Sequence, residues 1–158
     1  MMEIILRNAI VSDCEAMLVL VNELALYEKA PQEVTITLAQ FTDAGFGKNP
    51  VWQAFVAEVK GVIVGFALFY VRFSTWKGRQ LYLEDFIVTE AMRGKGIGKL
   101  LFEHTIKEAK QKGYASMVWQ VLDWNQPALN FYAKYQSSTE AGWLNASLSK
   151  KQLDEFTI

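Results

Sequence analysis

Leu81-Tyr82-Leu83-Glu84-Asp85-Phe86-Ile87-Val88-Thr89-Glu90-Ala91-Met92-Arg93-Gly94-Lys95-Gly96-Ile97-Gly98-Lys99-Leu100-Leu101 runs from an apolar segment through a glycine-rich turn into a second apolar repeat. Leu81 to Val88 is β-branched, aromatic and bounded by polar residues, which predicts a strand. Gly98, Leu101, Phe102, Thr105, Ile106 and Ala109 then recur at i, i+3, i+4, i+7, i+8 and i+11, the spacing of one helix face. Glycines at the junction let the backbone approach an anion and turn its N–H groups toward one centre, and a helix starting there adds the positive end of its dipole. The stretch therefore reads as a pyrophosphate cradle, against the plainer alternative of a glycine-rich turn with no ligand.

Spacing narrows the anion. A P-loop ending in Gly98-Lys99 would need glycine where Arg93 stands and Ser or Thr where Leu100 stands. A dinucleotide fingerprint on Gly94-Lys95-Gly96 would need Gly or Ala at Lys99, and no acidic residue ends a following strand some twenty residues on. What remains is Arg-x-x-Gly-x-Gly, as Arg93-Gly94-Lys95-Gly96-Ile97-Gly98.

The whole chain of 158 residues fits one domain spanning 1–158. With 51% hydrophobic residues it is globular rather than disordered, and a net charge of −1 gives no electrostatic footprint for nucleic acid. Apolar windows such as Val62 to Tyr70 are too short to cross a bilayer, and Glu3 and Arg7 interrupt any secretory signal, so a soluble, cytoplasmic protein with no nucleic-acid or membrane partner is expected. Cys14 is the one cysteine and His104 the one histidine, which leaves no cysteine-rich metal site; both read as structural, and no metal is expected.

In order, Met2 to Ala9 predicts a strand, and Ser12-Asp13-Cys14-Glu15 a capping box that starts a helix to about Tyr27, with Cys14 on its buried face. Thr37 to Phe46 reads as a short helix. Trp52 to Val59 and Val62 to Arg72 read as strands joined at Lys60-Gly61, feeding a central strand Gln80 to Val88 in an antiparallel meander. After the glycine turn a helix runs to Lys112, Gly113 stops it, and Ala115 to Leu122 is a strand parallel to the central one. Asn125 then caps a helix that has Pro127 in its first turn and carries Phe131 and Tyr132. Beyond Ser137, Gly142 to Leu148 reads as a strand and Lys150 to Phe156 as a short helical turn.

The run Leu83-Glu84-Asp85-Phe86-Ile87-Val88 followed by Arg93-Gly94-Lys95-Gly96-Ile97-Gly98 resembles the acetyl-CoA loop of the GNAT acetyltransferase superfamily. Within it the chain looks like the diamine acetyltransferases, and more particularly their thialysine N-ε-acetyltransferase branch, over nearly its whole length. The resemblance implies an α/β GNAT fold, a central mixed and mostly antiparallel twisted sheet flanked by helices. It also implies acetyl-CoA as co-substrate, a small primary amine as acceptor, direct transfer in a ternary complex, and a homodimer. Carried over residue by residue, Phe86, Ile87 and Val88 offer backbone to the thioester end, and Arg93, Gly94, Lys95, Gly96, Ile97, Gly98 and Lys99 hold the pyrophosphate. Asn125 and Tyr132 contact the pantetheine arm. Glu84 matches the general base and Tyr132 the acid, while Tyr27, Glu28, Ser74 and Trp76 join Glu84 at the substrate. Taken without the family, Tyr27-Glu28 is equally a solvated helix end, Glu84 a satisfied strand carboxylate and Tyr132 a core aromatic.

Strand alternation predicts that Glu84 and Asp85 point to opposite faces, so that only one of them faces substrate. Tyr132, with a phenol near pKa 10, is matched to a departing thiolate. The segment Ala133-Lys134-Tyr135-Gln136 departs from the family, which has glycine soon after the tyrosine. Ser74-Thr75-Trp76-Lys77-Gly78-Arg79 and Val121-Leu122-Asp123-Trp124-Asn125-Gln126 look like the thialysine branch; the polyamine branch carries Asp-Pro in place of Ser74-Thr75. A thialysine- or lysine-like amine is thus expected, with polyamines as the alternative and a non-catalytic acetyl-CoA sensor as the rival from another class.

Overall fold

A computed structural model describes residues 2–157 of the chain. They divide into two compact units, residues 2–120 and 121–157. The first unit holds one five-stranded sheet in sequence order: β1 (Ile5–Asn8), β2 (Gln53–Val59), β3 (Val62–Ser74), β4 (Gly78–Val88) and β5 (Ser116–Trp119). Neighbours from β1 to β4 are antiparallel, and β4 pairs with β5 in parallel across the intervening helix α3 (Ile97–Gln111). The middle place belongs to β3, not to the strand Gln80 to Val88, because short β1 adds a further strand beyond β2. Lys60 (φ 51°) and Gly61 (φ 79°) both adopt the left-handed conformation that a two-residue hairpin turn requires.

Alternation along β3 sorts the two faces. Phe66 and Leu68 join Ala54, Val56 and Ile87 beneath α1 (Cys14–Tyr27) and α2 (Leu38–Phe46), in a core that includes Cys14, Met17, Leu20, Phe41 and Trp52. On the opposite face, Phe86 packs on Phe102 of α3 with ring centroids 5.6 Å apart, and Phe55 meets His104 edge to face at 4.4 Å. Cys14 and His104 are therefore separated by the sheet, and neither can activate the other. Burial pushes the Cys14 thiol up, further from the reactive thiolate.

Where Val88 pairs with Gly65, a methyl on Gly65 would lie 2.7 Å from the Ile87 carbonyl oxygen, a backbone atom that cannot swing aside. Gly65→Ala is expected to destabilise the fold by about 2 kcal/mol, read as a lowered melting temperature.

α1 starts differently from the expected Ser12–Glu15 box. A 3-10 turn, Val11–Asp13, precedes it, so Asp13 rather than Ser12 stands at the N-cap of α1; its side chain makes no cap bond to α1 and instead accepts the Ile10 N–H at the start of the turn, at 2.8 Å. Asp13 is fixed there by two hydrogen bonds from Arg7, at 2.6 and 2.9 Å, which hold its buried carboxyl below the usual carboxylate range. Arg7 also donates to Glu58 on β2, so the first strand, the helix start and the sheet share one ion cluster.

The expected strand Ala115 to Leu122 is cut to Ser116–Trp119, because β4 offers it partners only from Gln80 to Leu83. In the second unit, α4 (Gln126–Ala133) is capped by Asn125, whose side chain accepts the Ala128 N–H at 3.2 Å. Gly142 to Leu148 forms no strand: no ladder partner exists for it among the described residues, and Trp143, Leu144 and Leu148 are exposed. The closing helical turn is present as α5 (Lys150–Glu155), with Ser149 and Gln152 capping each other.

Candidate active site

β4 ends in two features that alternation alone does not produce. Leu68 pairs with Asp85 and Phe69 with Leu83, so Glu84 is an extra residue with no partner across the ladder. Such a bulge resets the alternation. Asp85 then shares its face with Leu68 and Ile87, on the α1 side. Glu84 accepts a hydrogen bond from Tyr70, which pairs with and stacks on Tyr82 on that same face, ring centroids 5.2 Å apart. The expectation that Glu84 and Asp85 take opposite faces is therefore wrong, and the bulge is the reason.

Electrostatics record this crowding. Burial first, then the charges of Glu84 and Glu28, push the Asp85 carboxyl up to about 6. Burial and then Glu84 push the Tyr70 phenol up to about 12, and Tyr82 moves in the same direction from the same causes. Burial also raises Glu28, the residue that ends α1 with its N–H on the Leu24 carbonyl. Glu28 and Glu84, both assigned from sequence, are thus gathered around Asp85, which sequence reasoning passed over. The signal that could have found it was the adjacent pair Glu84-Asp85 itself, since two neighbouring acids on a buried strand are costly unless a bulge gives both an outlet.

The second feature is a parting of strands. The ladder between β4 and β5 stops at Leu83, opposite Trp119, and does not continue along residues 84–88. Ile87 is 4% exposed and locked into the core, so only its backbone can face this gap.

Past Val88 the glycine turn takes the form the cradle requires. Gly94 (φ 74°) and Gly96 (φ 83°) are left-handed, and a Cβ on either would meet nothing within 4 Å, so conformation rather than crowding selects glycine. Gly96 is the N-cap of α3 and has no side chain to satisfy the first-turn N–H groups of Ile97, Gly98 and Lys99. Those amides and the helix dipole suit an anion. Lys95 folds back to donate to the Ala91 carbonyl at 2.9 Å, and Lys99 lies 3.9 Å from Glu103. Arg93 turns toward β4 and α1: its Nε donates to the Val88 carbonyl at 2.9 Å, and its guanidinium lies 5.2 Å over the Tyr27 ring.

Ser74 and Trp76 lie at the β3–β4 turn, where the Ser74 hydroxyl accepts the Trp76 and Lys77 N–H groups, both at 3.2 Å, and Trp76 is 86% exposed. From Gly78 to Glu84 is six residues of strand, roughly 20 Å, so the chain does not bring its own Trp76 to the carboxylates. In the second unit Tyr132 lies on α4 about two turns past the cap and meets Phe131 edge to face at 5.4 Å. Among the described residues no group of three His, Cys, Asp or Glu is placed to hold a metal ion, and no helix is long and apolar enough to cross a membrane.

The family model described as the acetyltransferase (GNAT) family matches residues 16–136. The thialysine N-epsilon-acetyltransferase of Bos taurus is 38% identical over 151 residues, covering 89% of this chain and 89% of that protein. The enzyme of the same name from Mus musculus is 37% identical, covering 96% and 95%. Among solved structures, the aminoglycoside N-acetyltransferase AAC(6')-Iy in complex with CoA superposes with a TM-score of 0.75 at 18% identity, covering 93% of this chain and 96% of that one, a likeness that shows the fold. With a sheet of this topology, a glycine turn opening α3 and relatives this similar over nearly their full lengths, the chain belongs to the acetyltransferase (GNAT) family, whose members take their acetyl group from acetyl-CoA.

Proposed function

We propose that this protein transfers the acetyl group of acetyl-CoA to the primary amine of a small thialysine- or lysine-like molecule, directly and within a ternary complex. The observation that carries the proposal is the pairing, along one strand and its exit loop, of a carboxylate cluster at Glu84 with an anion cradle at Gly94–Gly98. The cradle fits the cofactor: two left-handed glycines and the uncapped N-terminus of α3 suit a pyrophosphate, with Arg93 to Lys99 as its holders. Bound acetyl-CoA supplies the acetyl group as a thioester. Phe86, Ile87 and Val88 offer backbone groups where β5 has parted from β4, suited to polarising a carbonyl oxygen. Asn125 and Tyr132 are assigned to the pantetheine arm.

Glu84 removes a proton from the ammonium, directly or through water, and Tyr132 returns one to the departing sulfur. Tyr27 and Glu28 hold the cationic end. Ser74 and Trp76 enter through the family resemblance alone. A covalent acetyl-enzyme has no support, since Cys14 is buried beneath α2 and its thiol is pushed up. We further assign the two units to one domain spanning 1–158, since the family match at 16–136 crosses their boundary. A soluble, cytoplasmic homodimer is proposed, in which exposed Trp143, Leu144 and Phe156 cover a second copy. Neither nucleic acid, membrane nor metal has a part.

Polyamines are the second reading, favoured by the grouping of Glu28, Glu84 and Asp85, since several carboxylates suit more than one ammonium. Competition decides: thialysine, lysine, spermidine, putrescine and a lysine peptide are offered together with limiting acetyl-CoA, and the acetylated products are separated by mass. Acetyl-thialysine or acetyl-lysine is expected to dominate. Dominant acetyl-spermidine would transfer the assignment to polyamines, and acetyl-CoA binding with no product from any amine would favour a sensor.

A further inference from the structure

Glu23 belongs to none of the groups above, yet its carboxylate takes hold of the loop that follows β4. Its Oε2 accepts the Thr89 hydroxyl at 2.9 Å, its Oε1 accepts the Glu90 N–H at 2.8 Å, and Arg93 Nη2 stands 3.8 Å from that same oxygen. Thr89 and Glu90 are the first residues after β4, so the start of the segment entering the glycine turn is tied to one carboxylate. Arg93 closes the circuit by bonding to Val88 and covering Tyr27, which lies one helical turn after Glu23 on the same face of α1. The ion pair is solvent-exposed and long, and contributes little. The two hydrogen bonds to a charged acceptor carry the attachment.

A carboxylate beside an anion cradle opposes the anion, so attraction of the cofactor cannot explain it. Position can: Glu23 fixes where the loop leaves the sheet, and the helix that carries it ends in Tyr27 and Glu28. We propose that Glu23, with Arg93, is a positioning residue that couples the amine end of the site to the acetyl-CoA loop, so that each substrate tightens the other. Resting on the functional reading above, this deepens it, and binding is reciprocal by linkage: the factor by which CoA improves amine affinity equals the factor by which amine improves CoA affinity.

Calorimetry with the full chain tests it, measuring thialysine affinity with and without saturating CoA. Wild type is expected to gain roughly tenfold in thialysine affinity from CoA, within the usual range for coupled sites, and Glu23→Ala to gain less than about twofold. Glu23→Gln keeps an oxygen for the Glu90 N–H and can meet the Thr89 hydroxyl with its amide, so it is expected to recover most of the coupling. Its folding is checked by thermal denaturation. A residue that only stabilised the fold would weaken both affinities and leave their ratio intact; wild-type coupling in Glu23→Ala therefore overturns the proposal, as does a factor of one in the wild type. Arg93→Gln supplies an independent arm with acetyl-pantetheine, which lacks the pyrophosphate. If the Arg93 side chain positions the loop, the variant raises the KM for thialysine severalfold with either donor. If it only binds pyrophosphate, CoA alone suffers and the positioning role falls. Absence of CoA binding by the wild type would instead defeat the acetyltransferase site itself, a distinct outcome.

Discussion

Tyr132→Phe is expected to lower kcat for thialysine acetylation by roughly 10²–10³-fold, the worth of a positioned general acid, while changing the CoA dissociation constant by less than about twofold. The substitution removes one oxygen and keeps the ring and its edge contact with Phe131, so packing of α4 survives. The phenol matters at the end of the reaction, when sulfur leaves as a thiolate of similar proton affinity. A leaving group that needs no proton removes that need. The loss should therefore shrink toward a few-fold with an acetyl donor whose thiol has a markedly lower pKa, measured by initial rates for both donors with both proteins. An equal loss with both donors would contradict the general-acid role of Tyr132.

Changes in the Glu84–Asp85 pair are expected to split activity from stability. Glu84→Gln removes the proposed proton acceptor and should cost roughly 10²–10³-fold in kcat/KM. It also removes a charge that raises Asp85, so the Asp85 carboxyl should fall below its present value of about 6. Asp85→Asn acts on folding. An unfolded aspartate titrates near 3.8 and the folded one near 6, so well below pH 3.8 both states hold the proton and the difference in titration adds nothing to stability. As pH rises toward 6 the unfolded chain gives up its proton first, and the wild type loses stability. Above that the loss is complete, on the order of 2–3 kcal/mol, and Asp85→Asn should melt several degrees higher than wild type. Its amine KM should rise about tenfold, as expected for loss of one charged partner. Equal melting temperatures at pH 5 and pH 8 would mean that Asp85 is neither crowded nor buried as described.

Much of this was legible in the chain itself. The strand, the glycine turn and α3 follow from composition and spacing, and the glycines show why: Gly94 and Gly96 are required by backbone conformation, which spacing reveals. Asn125 as the cap of α4 was equally readable, because capping is local. What escaped depends on partners distant in sequence. Asp13 rather than Ser12 stands at the start of α1, where Arg7, on the preceding strand, holds its carboxylate away from the helix. Glu84 and Asp85 share a face because Leu68 and Phe69 pair with residues two apart, and no property of β4 alone predicts that skip. Arg93 read as a phosphate ligand because of its motif, whereas Val88, Tyr27 and Glu23 set its side chain. The segment 142–148 has the composition of a strand, but a strand needs a ladder, and none is available to it among the described residues.

One measurement bears most directly on the acetyl transfer and on the cradle together. Purified wild type and Gly96→Val are incubated with acetyl-CoA and thialysine, following thiol release and the mass of the amine product. Valine at φ 83° is strained whatever the space around it, so the variant should distort the start of α3. The expected result is one acetyl-thialysine per CoA released by the wild type, with intersecting initial-rate lines for the two substrates, and a KM for acetyl-CoA raised at least tenfold in Gly96→Val. Parallel lines would contradict direct transfer, and an unchanged KM in Gly96→Val would contradict the cradle. Thiol release with no acetylated amine would contradict the acetyltransferase assignment for this substrate.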